Sequence, residues 1–229
     1  MSRGIEARCR EAHIPTERCF AIGGAVDLER FSPELSGEGI RAELGLGKAP
    51  VIGTVSRLAP NRGHELLLRG FRGVIQSLPE ARLLIAGKGE SRGRLETLVR
   101  SLDLSRAVVF AGYRDQDLPQ VLAAMDLFAL MGTGSEESCR AALEAMAVGK
   151  AVVGRKVGAL PETIRHGETG WLLEGDTPEE LTDALLMLLK DQDRGKGMGR
   201  VGRHVAESEH SGAARALKTE AVYRSLLGE

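Results

Sequence analysis

Short apolar runs of three to five residues, separated by amphipathic stretches, place the tightest limit on what this chain can become. The candidate strands are Arg18–Ile22, Val51–Val55, Arg82–Ala86, Val108–Ala111, Leu127–Leu130, Ala151–Gly154 and Trp171–Leu173. They are brief, rich in branched residues and without strict alternation, the pattern of strands buried on both faces of a parallel sheet. Helical periodicity fills the gaps at Gly63–Ser77, Gly89–Ser101, Leu118–Ala124 and Ser138–Val148. In the first of these, Leu66, Leu67, Phe71, Val74 and Ile75 share a face. Strand–helix–strand alternation at this spacing predicts an α/β fold with a doubly wound parallel sheet. From Thr177 onward the strands stop, and Pro178–Leu189, Gly195–Glu207 and Gly212–Leu227 read as three successive helices. Thr177 is placed to cap the first of them, with Pro178 at its first position. The glycines at 195, 197, 199 and 202 read as a helix junction. No repeat, low-complexity segment or linker divides residues 1–229, so a single domain is expected.

Composition narrows the partners. A chain of 229 residues that is 42% hydrophobic and 28% charged, with net charge −1, can bury a core but offers no global field for a nucleic acid. Phosphate recognition, if present, must therefore be local. Three cysteines in no metal or redox spacing point to a reduced, cytoplasmic setting. The opening residues lack a secretory apolar core, and no apolar run approaches the ~20 residues of a spanning helix. Peripheral attachment to the inner face of a membrane stays open.

In open α/β sheets ligands bind beyond the carboxyl ends of the strands, which directs attention to the loop after each run. After Val51–Val55 come Arg57 and Arg62, with Gly63 opening a helix. Two guanidinium forks beside a helix start suit a diphosphate, although solvated arginines on a loop fit the same spacing. After Arg82–Ala86 the chain reads Gly87-Lys88-Gly89, either a tight turn or a close backbone approach to a ligand. Gly112-Tyr113-Arg114 offers backbone groups and an aromatic face to a nucleotide base, or an exposed turn tyrosine.

The stretch from Glu136 to Gly149 carries two carboxylates eight residues apart, Glu136 at the mouth of an amphipathic helix and Glu144 inside it. Eight helical residues rise about 12 Å, roughly the reach from a ribose to the sugar at the far end of a nucleotide-diphosphate sugar. A glutamate among Ala142, Leu143, Met146 and Ala147 must face a cleft or be paired, for example with an arginine. The amides of Ser138, Cys139 and Arg140 are orphan donors at the helix start, suited to phosphate or sugar oxygens. The five histidines have no ligand spacing, and neither a Ser/His/Asp set nor a metal cluster stands out.

Taken together in order, these segments resemble the C-terminal, donor-binding Rossmann-like domain of the retaining glycosyltransferases of family 4, which have the two-domain GT-B fold. The resemblance runs through Ile22–Asp27 with Phe31-Ser-Pro33, Val55–Leu58 with Arg62-Gly63, Leu84–Gly89, Val109–Gly112, Glu136–Val153, Gly158–Glu162 and Gly167–Leu173. It implies that Arg57 and Arg62 bind the donor diphosphate, that Glu144 holds the ribose hydroxyls and that Glu136 holds the transferred, hexose-type sugar. Gly87, Gly89, Tyr113, Ser138, Cys139, Arg140 and Leu143 are implied as further donor contacts. It also implies no metal and no cofactor beyond the nucleotide sugar itself, with the cations standing where other transferases use a divalent ion.

Three positions depart from the family pattern: Arg62 for a lysine, Glu137 for a glycine and Ser56 for a glycine. The resemblance further implies that residues 1–17 are the remnant of an inter-domain linker. It places the acceptor-binding domain, in cis or as a separate chain, outside these residues, so that the isolated domain turns over little. The last helix, ending Tyr223–Leu227, is similar to one that crosses back to that domain. The competing expectation is a non-catalytic nucleotide-sugar-binding or scaffold module. A nicotinamide-dependent dehydrogenase is disfavoured by the lack of a Gly-x-Gly-x-x-Gly turn in a first βα unit.

Overall fold

The computed structural model describes residues 11–15, 19–20, 22–132 and 136–227, with only the backbone of residues 136–138. Six strands are formed: β1 (Val51–Val55), β2 (Arg82–Ala86), β3 (Val108–Gly112), β4 (Leu127–Leu130), β5 (Ala151–Arg155) and β6 (Gly170–Leu173). All pair in parallel, in the order β3-β2-β1-β4-β5-β6. The order reverses between β1 and β4, where Ile52 lies opposite Leu127 and Gly53 opposite Phe128. This is the topological switch point of a doubly wound sheet, the place where such sheets open a crevice.

Nine helices stand among the described residues: α1 (Glu38–Glu43), α2 (His64–Ser77), α3 (Arg92–Ser101), α4 (Leu118–Ala123), α5 (Glu136–Ala147), α6 (Leu160–Thr163), α7 (Pro178–Lys190), α8 (Gln192–Glu209) and α9 (Gly212–Leu227). The strands are apolar over most of their length because alternate residues feed different cores. Leu84 and Ala86 of β2 join a cluster with Val121, Ala142 and Val205 on one face. Leu83 and Ile85 join Leu67, Phe71, Leu95 and Leu185 on the other. Leu68, rather than Leu66 or Ile75, completes the buried stripe of α2. Thr177 caps α7 by accepting from the Glu180 amide at 3.3 Å.

Two sequence expectations are corrected, and one helix lies outside what the sequence pattern signals. Cys19, Phe20 and Ile22 are not in a strand; the remainder of the proposed Arg18–Ile22 strand lies outside the described residues. Helix α1 has no counterpart in the sequence pattern, since Ile40 is its single buried residue and leaves no periodic trace. The glycines at 195, 197, 199 and 202 lie inside α8 instead of breaking it. Each costs about 1 kcal/mol relative to alanine in a helix, and packing explains Gly199 at least. A Cβ on Gly199 would sit 2.0 Å from the carbonyl oxygen of Gly149, in the turn that ends α5.

Candidate functional site

A cleft of about 840 Å³ lies over the carboxyl ends of β1, β2 and β3 and against α5. Its construction starts with three loops that continue the sheet's hydrogen bonding past its strands. The Ser56 amide donates to the Ala86 carbonyl at 3.1 Å, Leu58 to Lys88 at 3.0 Å and Gly87 to Gly112 at 2.7 Å. This knitting explains the Gly-x-Gly pair. Gly87 has φ +148°, and a Cβ there would fall 1.9 Å from the Ser56 carbonyl oxygen; one on Gly89 would fall 2.4 Å from that of Leu58. The glycines are demanded by the neighbouring loop, and the cleft wall they form is a consequence.

Arg57 and Arg62 both line the cleft, the latter at the end of a one-turn 3-10 helix, Pro60–Arg62, just before α2. Gly87, Gly89, Tyr113, Arg140 and Glu144 line it as well. Cys139 and Leu143, 9% and 2% exposed, pack into the core and are not among its walls. Glu136 and Ser138 belong to α5, but their side chains lie outside the described residues.

Arg30, Lys88 and Arg114 also line the cleft, although no spacing rule singled them out, so six basic side chains stand there against two acidic ones, Asp115 and Glu144. Within a chain of net charge −1 this is a strongly local positive field. Arg114 is spent on structure: it pairs with Glu43 of α1 and, at 2.6 Å, with Asp117, and Glu43 is held below the usual carboxylate range by that hydrogen bond. Arg30 donates to the Asp115 carbonyl and carboxylate, fastening the β3 loop to the segment before α1. The Lys88 ammonium sits 4.5 Å from the centroid of the Tyr113 ring, which is 62% exposed.

Glu144 is only 6% exposed. Burial pushes its carboxyl up from the ordinary range, opposed by the hydrogen bond and charge of Arg140 and by the charge of Arg30. Arg140 Nε donates to Glu144 Oε1 at 3.0 Å, so the arginine pairing and the cleft-facing position, alternatives in the sequence, hold together. A carboxylate accepts up to about four hydrogen bonds. Among the described residues Glu144 has that one, and the residue lines the cleft with accepting capacity left over.

Sequence reasoning also passes over His64, the first residue of α2. It is 4% exposed, and its Nε2 lies 2.9 Å from Ser56 Oγ on the cleft wall. Burial, with help from the Arg62 charge, lowers its pKa to about 4. A lone histidine with no ligand spacing gives no signal in a sequence. Among the described residues no three His, Cys, Asp or Glu side chains gather as a metal-binding group, and no helix is long and apolar enough to cross a membrane.

The six-stranded parallel sheet, its switch-point cleft and its helical C-terminal segment define a Rossmann-like half of the GT-B type. The solved structure of Anabaena Alr3699/HepE in complex with UDP-glucose overlays all of this chain and 62% of its own, at TM-score 0.86 and 25% identity. The C-terminal domain of a glycosyl transferase group 1 family protein, LpcC from Francisella tularensis, overlays 82% of the chain and 99% of its own at TM-score 0.69 and 23% identity, a likeness of fold. The family model for glycosyl transferases group 1 matches residues 38–205, and the chain belongs to that family. Among its curated relatives is a GDP-mannose-dependent alpha-(1-6)-phosphatidylinositol monomannoside mannosyltransferase of Mycolicibacterium smegmatis, 32% identical over 90% of this chain and 56% of the relative. Another is a D-inositol 3-phosphate glycosyltransferase of Corynebacterium urealyticum, 34% identical over 91% of this chain and 51% of the relative. The chain thus spans about half the length of the curated relatives it matches.

Proposed function

We propose that this chain is the donor-binding half of a retaining hexosyltransferase that uses a nucleotide-diphosphate sugar. The observation that carries the reading is the pairing of a locally cationic cleft with one buried carboxylate of spare accepting capacity, Glu144, at the switch point. Arg57 and Arg62 would grip the diphosphate and stabilise the charge that develops on it as the sugar leaves, a role a divalent ion plays in other transferases. Glu144 would accept from the ribose hydroxyls. Glu136, eight residues earlier on α5, would meet the transferred sugar. The loop Gly112–Arg114 would border the base.

The acceptor and any membrane contact are assigned to a second, acceptor-binding domain. Two facts support that division. The chain matches about half of its relatives' length. Helix α9 has no buried residue and exposes Leu217, Tyr223, Leu226 and Leu227, large apolar side chains of the kind an interaction surface uses.

Calorimetric titration with uridine, guanosine and adenosine diphosphates tests the reading. One of them is expected to bind, with affinity unchanged by a chelator and little sugar transfer by the chain alone. Absence of heat with all three would end it.

A further inference from the structure

We infer that His64 is a positioning residue that turns the Ser56 hydroxyl hydrogen into the cleft, where it serves as a neutral donor to a diphosphate oxygen. The inference rests on the reading of this cleft as a donor-diphosphate site and assigns a task to two residues that reading leaves idle.

Ser56 ends the β1 strand's path into the cleft, next to Arg57. Its Oγ has one hydrogen-bond partner among the described residues, His64 Nε2 at 2.9 Å. The imidazole is neutral at physiological pH because burial and the Arg62 charge hold it so. A neutral imidazole carries one N–H and one lone pair, so two arrangements are available. In the first, the hydrogen is on Nδ1 and Nε2 accepts from the serine. In the second, Nε2–H donates to Oγ and Nδ1 is bare.

His64 Nδ1 decides between them. It is buried and has no hydrogen-bond partner among the described residues. A buried N–H left orphaned is rarer in folded proteins than an under-used acceptor. The Nδ1 position is therefore the lone pair, and Nε2 carries the hydrogen. With its oxygen accepting from His64, the serine must direct its own hydrogen elsewhere. It makes no hydrogen bond to another acceptor among the described residues, whereas an anion bound between Arg57 and Arg62 would supply one.

The test reads the tautomer and the affinity separately. A long-range nitrogen–proton correlation spectrum of the labelled chain is expected to show His64 protonated on Nε2 and bare on Nδ1; the opposite tautomer would overturn the inference before any ligand is added. Titration with the nucleoside diphosphate that the chain binds is expected to show Ser56→Ala weakened about tenfold or more, the size of a lost hydrogen bond to a charged group. Ser56→Thr, which keeps the hydroxyl, should restore most of it. His64→Gln keeps an amide donor near the Nε2 position and should bind close to the unmodified chain, while His64→Ala should behave as Ser56→Ala does. Equal binding by the unmodified chain and Ser56→Ala overturns this inference alone. An unmodified chain that binds no nucleoside diphosphate removes the reading of the cleft and this inference together.

Discussion

The two ends of the sheet are built from the same kinds of side chain and put them to opposite uses. At the amino ends of β1, β4 and β5 a pocket of about 300 Å³ is lined by Arg41, Lys48, Lys150 and Lys196 with Asp126. There the deeper groups are consumed by the chain itself. Arg41 donates to the carbonyls of Gly47 and Ala49 and to Asp126, which also accepts from the Val51 amide at 2.7 Å. Lys150 Nζ donates to the Ala123 carbonyl at 2.9 Å, and Lys48 and Lys196 are exposed at the rim. At the carboxyl ends, Glu144 has one bond where it can take several, and the Ser56–His64 pair has polar atoms to spare. A surplus of cations is common to both ends. Spare accepting capacity on a buried carboxylate distinguishes the end proposed as the site from the end that is a staple.

The sharpest way to break this contrast is to remove Arg57 and Arg62 together. Nucleoside-diphosphate affinity is expected to fall by a hundredfold or more, at about 1.5–3 kcal/mol for each charged hydrogen bond lost. A large loss of stability with unchanged affinity would place the staple at the wrong end.

Next comes pH. His64 has a folded-state pKa of about 4 against an ordinary value of 6.5. The unfolded chain therefore takes up a proton as pH falls through 6.5, and the folded chain does not until about 4. Stability attributable to this group is complete above the upper value and is lost progressively as pH falls through that window, by about 3 kcal/mol at pH 4. Denaturant titrations of His64→Gln should show this component flattened relative to the unmodified chain.

At the opposite end, Asp126→Ala removes the acceptor of the Val51 amide and one of the three acceptors of Arg41. It should lower stability by about 1–3 kcal/mol and leave nucleotide affinity untouched. The smallest effect belongs to Glu144→Gln. Affinity should drop several-fold through weakened ribose bonds, while the thermal midpoint stays level or rises, because burial already disfavours the ionised carboxylate. Calorimetry and a melting curve on the same sample check both halves of that statement.

Much of the fold is written in the apolar runs. Val51–Val55, Arg82–Ala86 and Leu127–Leu130 occupy the strand limits read from the sequence, because a strand buried on both faces is apolar at most of its positions. The illegible parts have physical causes too. Helix α1 buries one side chain. The glycines of α8 look like breakers until the carbonyl of Gly149 is seen against Gly199, a contact made across about fifty residues of chain. In the site, Arg57, Arg62 and Glu144 are visible through their motifs and share the cleft. The core positions of Cys139 and Leu143 follow from helix phase, which a motif does not state. His64 is silent, since its meaning depends on Ser56 beside it, and Glu136 falls where the structure describes no side chain.

The walls of the cleft come from positions as far apart as Arg30 and Glu144, brought together from five separate segments of the chain. No peptide fragment carries such a pocket, so whatever occupies it binds the native state and leaves the denatured ensemble alone. Occupancy then acts as a thermodynamic clamp, worth about 2.7 kcal/mol at a hundred times the dissociation constant. Melting curves taken across a panel of nucleotide sugars would thereby rank them without any knowledge of what receives the sugar.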